Sequence, residues 1–200
     1  VFHEEQLPIV PNTNAAIAAA TGEFIAFADH DDMLTPDALF ECVRALNEAP
    51  ETEALYSDED KVSADGKRHF QPHFKPDFNL DLLRSNNYVC HLFVAKRALL
   101  DRAGLLRPEY EGAQDYDLVL RCAEKAGGLL HVPRILYHWR THDNSTSENP
   151  RVSFMPLTQG RGRYRRTLTG WESKRRFARE SIWEFTAPAI SGIMTRWFPL

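Results

Sequence analysis

The chain has 200 residues, 43% of them hydrophobic, with 24 basic and 28 acidic side chains and a net charge of −4. That supports one sizeable core and an appendage rather than two independent cores, and the absence of any apolar run of about 18 residues argues against a membrane span. No charged-then-apolar leader opens the sequence, and three widely separated cysteines, Cys42, Cys90 and Cys122, argue against a disulfide framework or a Cys-rich zinc site and for reduced thiols in a cytoplasmic protein. Charge is uneven. Residues 155–200 carry nine Lys and Arg against three Asp and Glu, a net +6, whereas residues 1–154 carry 15 against 25, a net −10.

In chain order, the Ala-rich run Asn14 to Ala20 reads as a short helix stopped at Thr21-Gly22, with the glycine as a left-handed cap. Phe24 to Ala28 is short and continuously apolar, the pattern of a strand covered on both faces. It runs into "DHDD", residues 29–32. Thr35 and Pro36 suit a helix start, and Leu39, Val43 and Leu46 repeat at helical spacing. Ala54 to Ser57 reads as a strand leading into an acidic turn, Asp58-Glu59-Asp60, and Tyr88 to Ala95 as another strand. Lys96 to Arg102 reads as a helix closed by Gly104. Asp115 to Ala126 is an amphipathic helix ended by Gly127-Gly128. Leu129 to Val132 and Ile135 to Trp139 read as two strands broken at Pro133. Strands alternating with helices predict an α/β layer structure with a mostly parallel sheet, in which ligands collect at the carboxyl ends of strands.

Three carboxylates at such a strand end repel one another unless a cation or solvent intervenes. Hard oxygen ligands on a loop suit Mg²⁺ or Mn²⁺, which keep open positions for phosphate oxygens. The competing reading is an Asp-rich turn in which Asp32 caps the following helix. Asp115 opens a predicted helix, where it reads as an N-cap and where the helix dipole favours its ionised form, lowering its basicity. Asp117 reads as a first-turn charge.

Taken together, "TNAAIAAATGEFIAFADHDDMLTPDAL", "LYSDEDK", "FKPDFNLDLLRSNNYVCHLFVAKRALL", "EGAQDYDLVLRCAE" and "HVPRILYHWRTHDNS" resemble the family 2 glycosyltransferases of bacterial polysaccharide synthesis, including rhamnosyltransferase-like and O-antigen-type members, in order and spacing from about Asn12 to Ser147. The resemblance implies a GT-A-type nucleotide-sugar fold and a metal-dependent, inverting transfer from a nucleoside diphosphate sugar to a glycan or lipid-linked hydroxyl. Asp29-His30-Asp31 matches the D-x-D element, making Asp31 and Asp29 metal ligands with Mn²⁺ or Mg²⁺, and Asp29, Asp32 and Asn14 contacts on the nucleotide side. Asp115 matches the catalytic aspartate. His138 matches a late histidine near metal and diphosphate, with His142 competing. Asp58, Glu59, Asn87, His91, Tyr116 and Trp139 fall where acceptor or sugar contacts are expected.

Two departures accompany the resemblance. No nucleotide-binding strand pair precedes Asn12, so the domain, residues 1–150, is expected to be an N-terminally truncated GT-A domain, and "LPIVPNTN" carries two prolines where relatives have small residues. Residues 151–200 form a basic, aromatic tail, suited to peripheral contact at the inner face of the membrane and lacking any nucleic-acid-binding motif. Alternative readings remain open: a catalytically inactive remnant or partner-binding fragment, and a metal-dependent phosphohydrolase.

Overall fold

A computed structural model of the chain describes residues 7–141 and the strand Glu180–Phe185. The helices are α1 (Ile9–Ala19), α2 (Ala38–Glu48), α3 (Leu80–Ser85), α4 (Arg97–Ala103) and α5 (Gln114–Ala126). The strands are β1 (Phe24–Asp29), β2 (Met33–Leu34), β3 (Ala54–Val62), β4 (His69–His73), β5 (Phe93–Lys96), β6 (Leu130–Arg140) and β7 (Glu180–Phe185).

The strands form one sheet in the order β2-β6-β3-β5-β1-β7, with β4 paired on the free stretch of β3. Along β1, Phe24, Ala26 and Ala28 pack with α2 residues Ala38, Cys42 and Leu46, while Ile25 faces the opposite layer, which contains Val10 and Ile17 of α1, Leu99 and Leu100 of α4 and Leu118, Val119 and Cys122 of α5. The unbroken apolar run of β1 is therefore the signature of a strand buried on both faces, because alternate side chains feed two separate helix layers.

The sheet departs from the mostly parallel arrangement expected. Among the described strands, β3 and β6 pair in parallel, whereas β1–β5, β3–β5, β2–β6, β3–β4 and β1–β7 are antiparallel. The crossover through α2 does return β3 in the direction of β1, as alternating strand and helix require. Between them, however, β5 inserts in the opposite direction, with Val94 beside both Ala26 and Leu55.

Other local expectations are corrected in the same way. The prolines of "LPIVPNTN" sit at the N-cap and in the first turn of α1, where backbone N–H groups have no helical partner anyway, and Ala20 leaves the helix in extended backbone rather than through a left-handed Gly22. Gly104 and Gly127 do take positive φ, 78° and 72°, at the ends of α4 and α5. Pro133 does not break the chain into two strands. Between the pairs Ser57–Val132 and Asp58–Ile135 the register shifts, so Pro133 and Arg134 bulge out and β6 continues. Finally, β3 runs on through Asp58, Glu59 and Asp60, all buried, where the strand was expected to end at Ser57. β7, from the segment read as an appendage, pairs with β1 from Phe24 to Asp29.

Candidate active site

The carboxyl end of β1 is organised by a residue 108 positions away: the Asp29 N–H donates to the Tyr137 hydroxyl at 3.0 Å. That hydroxyl in turn donates to Asp32 Oδ2 at 2.5 Å, and the Arg140 N–H donates to Asp32 Oδ1 at 2.8 Å. Asp32 therefore faces β6 rather than capping α2, whose N-cap Asp37 makes no side-chain capping bond. Burial raises the Asp32 pKa to about 6 against the opposing pull of the Tyr137 and Arg140 bonds.

Asp31 lies at the exposed tip of the loop, its Oδ1 3.7 Å from His30 Nδ1, while its backbone carbonyl accepts from Arg140 Nε at 2.7 Å. The side chains that come together are Asp29, Asp32 and His91, each offering a ligand atom within 4.8 Å of the others. Two carboxylates and an imidazole suit Mn²⁺ or Mg²⁺, more so the former. His138 joins a different group. Its Nδ1 lies 2.5 Å from Asp60 Oδ1, and His69 Nδ1 lies 3.1 Å from Asp60 Oδ2. Among the described residues, then, the histidine grouped with Asp29 comes from the segment before β5. His142 lies outside the described residues.

Asp29 and Asp115 open onto one pocket, with Cys90 and His91 between them and Phe27 and Leu106 among its apolar walls. Asp115 sits in the first turn of α5, one residue inside the helix, and its Oδ2 accepts from Asn87 Nδ2 at 3.0 Å. Ala113 occupies the N-cap, so the capping reading of Asp115 does not apply. Its basicity also differs from the dipole argument. Burial raises the carboxyl pKa, the Tyr116 N–H and the charge of His91 oppose the rise, and the negative charge of Asp29 adds to it. A half-buried carboxylate near a second one is a better base than a solvated first-turn aspartate.

His91 stacks on Tyr137 with ring centroids 4.7 Å apart and meets Trp139 edge-on at 5.9 Å. Its Nε2 is 3.8 Å from Asp29 Oδ2. Burial works against the imidazolium, yet the Cys90 sulfur and the carboxylates of Asp29 and Glu59 hold the pKa well above its ordinary value. Trp139 lies beside His91, packs partly against the core on the α2 side, and has Lys61 Nζ 5.9 Å from its ring.

Other expected contacts serve the framework. The Asn14 amide is committed to Leu106, donating to its carbonyl at 2.8 Å and accepting its N–H at 3.0 Å, and so anchors a pocket wall. Tyr116 is in the core, its hydroxyl donating to the Leu83 carbonyl. Asp117 accepts from both Arg107 and Arg121, as suits a structural first-turn charge. Asp58 accepts the Lys75 N–H at 2.9 Å and lies 2.8 Å from His131 Nε2. Glu59 lies 3.2 Å from His73 Nδ1 and accepts from Lys75 Nζ at 3.3 Å. Burial pushes Glu59 up, but these two partners leave it below the usual carboxylate range.

Sequence reasoning assigned no role to Tyr137 or Lys75. A row of carboxylates in an apolar strand must find counter-charge or donors when buried, and that requirement was the available signal for Lys75.

Comparison with known proteins agrees with this architecture. Residues 1–105, over half the chain, match Glycosyl transferase family 2. The chain is a member of that family. It is 42% identical over 154 residues to the uncharacterized protein y4gI of Sinorhizobium fredii, covering 76% of this chain and 17% of that protein. It is 44% identical over 128 residues to the O-antigen biosynthesis protein RfbC of Myxococcus xanthus, covering 64% of this chain and 10% of that one. Among solved structures, S. aureus TarS 1-349 superposes with a TM-score of 0.52 at 20% identity, covering 66% of this chain and 40% of that one, a likeness of fold. The α/β, GT-A-type fold is therefore the observed one. The chain spans less than a fifth of the length of these two curated relatives.

Proposed function

We propose that the protein is a glycosyltransferase that moves a sugar from a nucleoside diphosphate to a hydroxyl of a glycan or lipid-linked acceptor in cell-surface polysaccharide synthesis, with inversion at the sugar carbon. The observation that carries this reading is the single pocket shared by Asp29 at the end of β1 and Asp115 at the start of α5. An inverting transfer needs a base on one side of the sugar and a stabilised leaving group on the other.

In this reading Asp115 takes the proton from the acceptor hydroxyl. Its burial raises its affinity for that proton, and the Asn87 amide fixes the carboxylate that receives it. The apolar wall excludes water that would compete with the acceptor. On the opposite side, Asp29, Asp32 and His91 would hold Mn²⁺ or Mg²⁺, with Asp31 contributing from the loop tip; a divalent cation there supplies charge stabilisation to the departing diphosphate. His138 stands as a ligand through the family motif alone. Trp139, beside His91, is the aromatic side chain assigned to the sugar ring in this reading. The O-antigen relative supports polysaccharide synthesis as the setting.

The test is incubation of the chain with a panel of nucleoside diphosphate sugars, Mn²⁺ and lipid-linked or glycan acceptors. Acceptor-dependent release of nucleoside diphosphate, abolished by Asp115→Asn while nucleotide binding persists, supports the reading. Phosphate release from simple esters without an acceptor would replace it with a phosphohydrolase. Absence of both nucleotide binding and turnover would leave a binding fragment.

A further inference from the structure

The segment 87–92, between α3 and β5, belongs to no helix or strand, yet it carries both Asn87, which holds Asp115, and His91, which faces Asp29. A stretch without secondary structure needs another source of order for its backbone polar groups. That source is β3 with Lys75. The Lys75 ammonium, 0% exposed, donates to the Val89 carbonyl at 2.7 Å and to the His91 carbonyl, and pairs with Glu59 Oε2 at 3.3 Å. The same Glu59 Oε2 accepts the His91 N–H at 3.3 Å. Both backbone polar groups of His91 are thus held by one buried ion pair. Ser57 continues the row: its N–H donates to the Leu92 carbonyl at 3.2 Å and its Oγ accepts the Leu92 N–H at 3.4 Å, while Asn87 Oδ1 accepts the Cys90 N–H at 3.3 Å.

We infer that Lys75 and Glu59 act as a positioning clamp: they hold the 87–92 segment so that His91 and Asn87 are presented to the two carboxylates of the pocket. This rests on the reading of the pocket given above and changes the role of Glu59 from acceptor ligand to internal support. A buried ammonium bonded to two carbonyls has no free donor geometry for a substrate, and its partner carboxylate is 7% exposed. Neither group reaches the reacting atoms; they act through His91 and Asn87.

The experiment compares Lys75→Met, Glu59→Gln and the double variant in the full chain. Each single change leaves a buried partner without its counter-charge, so Tm falls; the double variant removes both charges, and Tm recovers towards wild type. The clamp predicts that turnover does not recover with it. In the double variant kcat stays about 100-fold down, Mn²⁺ affinity falls about tenfold because His91 is no longer held toward Asp29, and the amides of residues 87–92 exchange about tenfold faster or more. Recovery of kcat together with Tm, or unchanged exchange of the 87–92 amides in the double variant, overturns the proposal. If the wild-type chain transfers no sugar, the functional reading falls, and the exchange measurement still decides whether the clamp exists. Should Lys75→Met fail to fold, the double variant carries the test alone.

Discussion

Tyr137 and Asp32 are separated by 105 positions and joined by a 2.5 Å hydrogen bond, and the same tyrosine oxygen accepts the Asp29 N–H. Through that hydroxyl and the Arg140 donors, β6 holds the acidic loop after β1. The sheet thus adds to the loop's own turn bond, from the Asp32 N–H to the Asp29 carbonyl at 3.3 Å.

The first prediction concerns Asp32 in the metal-free chain. Its folded pKa, about 6, lies above the usual aspartate value of about 4. A raised folded value means that the contribution to stability is fully present below the unfolded pKa and is lost as pH rises through the folded one. Between pH about 4 and 6, wild type should lose on the order of 2–3 kcal/mol from this group relative to Asp32→Asn. Denaturant midpoints of the two proteins across that window measure it, and parallel curves would refute it. Tyr137→Phe removes a bond that favours the carboxylate, so the NMR titration of Asp32 should move to higher pH.

Metal binding should depend on Asp29 and Asp32 together. Alanine at either position is expected to weaken Mn²⁺ binding by roughly 10- to 100-fold in calorimetry, and Asp31→Ala to weaken it less in the absence of nucleotide, because Asp31 lies outside the grouped side chains. Equal losses at all three positions would place the metal further out on the loop.

Asp115→Asn should lower turnover by about 10²- to 10⁴-fold, the range of a lost general base, with nucleotide affinity retained. Asn87→Ala should produce a smaller loss of the same kind, since the carboxylate persists without its positioning donor. A pre-steady-state measurement of the transfer step distinguishes this from slowed product release.

Asp117 is a stability residue. It is 5% exposed on its side chain and receives Arg107 and Arg121. Burial pushes its pKa up, but the two guanidinium groups hold it below the usual range. For a depressed carboxylate the contribution is present above the unfolded pKa and disappears as pH falls through the folded value, so Asp117→Asn should lose about 2–4 kcal/mol near neutrality and progressively less in acid. Chemical denaturation at neutral and acidic pH checks it; an equal deficit at both would exclude the ion pairs as the cause.

Local signals were enough for much of the framework. The continuous apolar run of β1, the helical spacing of apolar residues in α2 and α5, and the glycines after α4 and α5 are patterns written along the chain, and each appears in the structure near its expected place. The D-x-D-D loop and Asp115 were also visible, because strand ends and helix starts present polar groups in sequence patterns of their own. The same patterns did not show that Asp58 to Asp60 lie within a strand, that Asn14 bonds Leu106 and Tyr116 bonds Leu83, or what Tyr137 and Lys75 hold.

What the sequence determined by itself is the alternation of layers and the family motifs, since these depend on periodicity and spacing along the chain. Tertiary structure alone decided which carboxylates are buried, which histidine joins Asp29, and that β5 runs against its neighbours. Burial and charge pairing depend on partners many residues away: Lys75 for Glu59, Tyr137 for Asp32, Asn87 for Asp115. A carboxylate's chemistry follows from its solvent exposure and nearest charges, and for these residues both come from chain segments that meet only in the folded sheet.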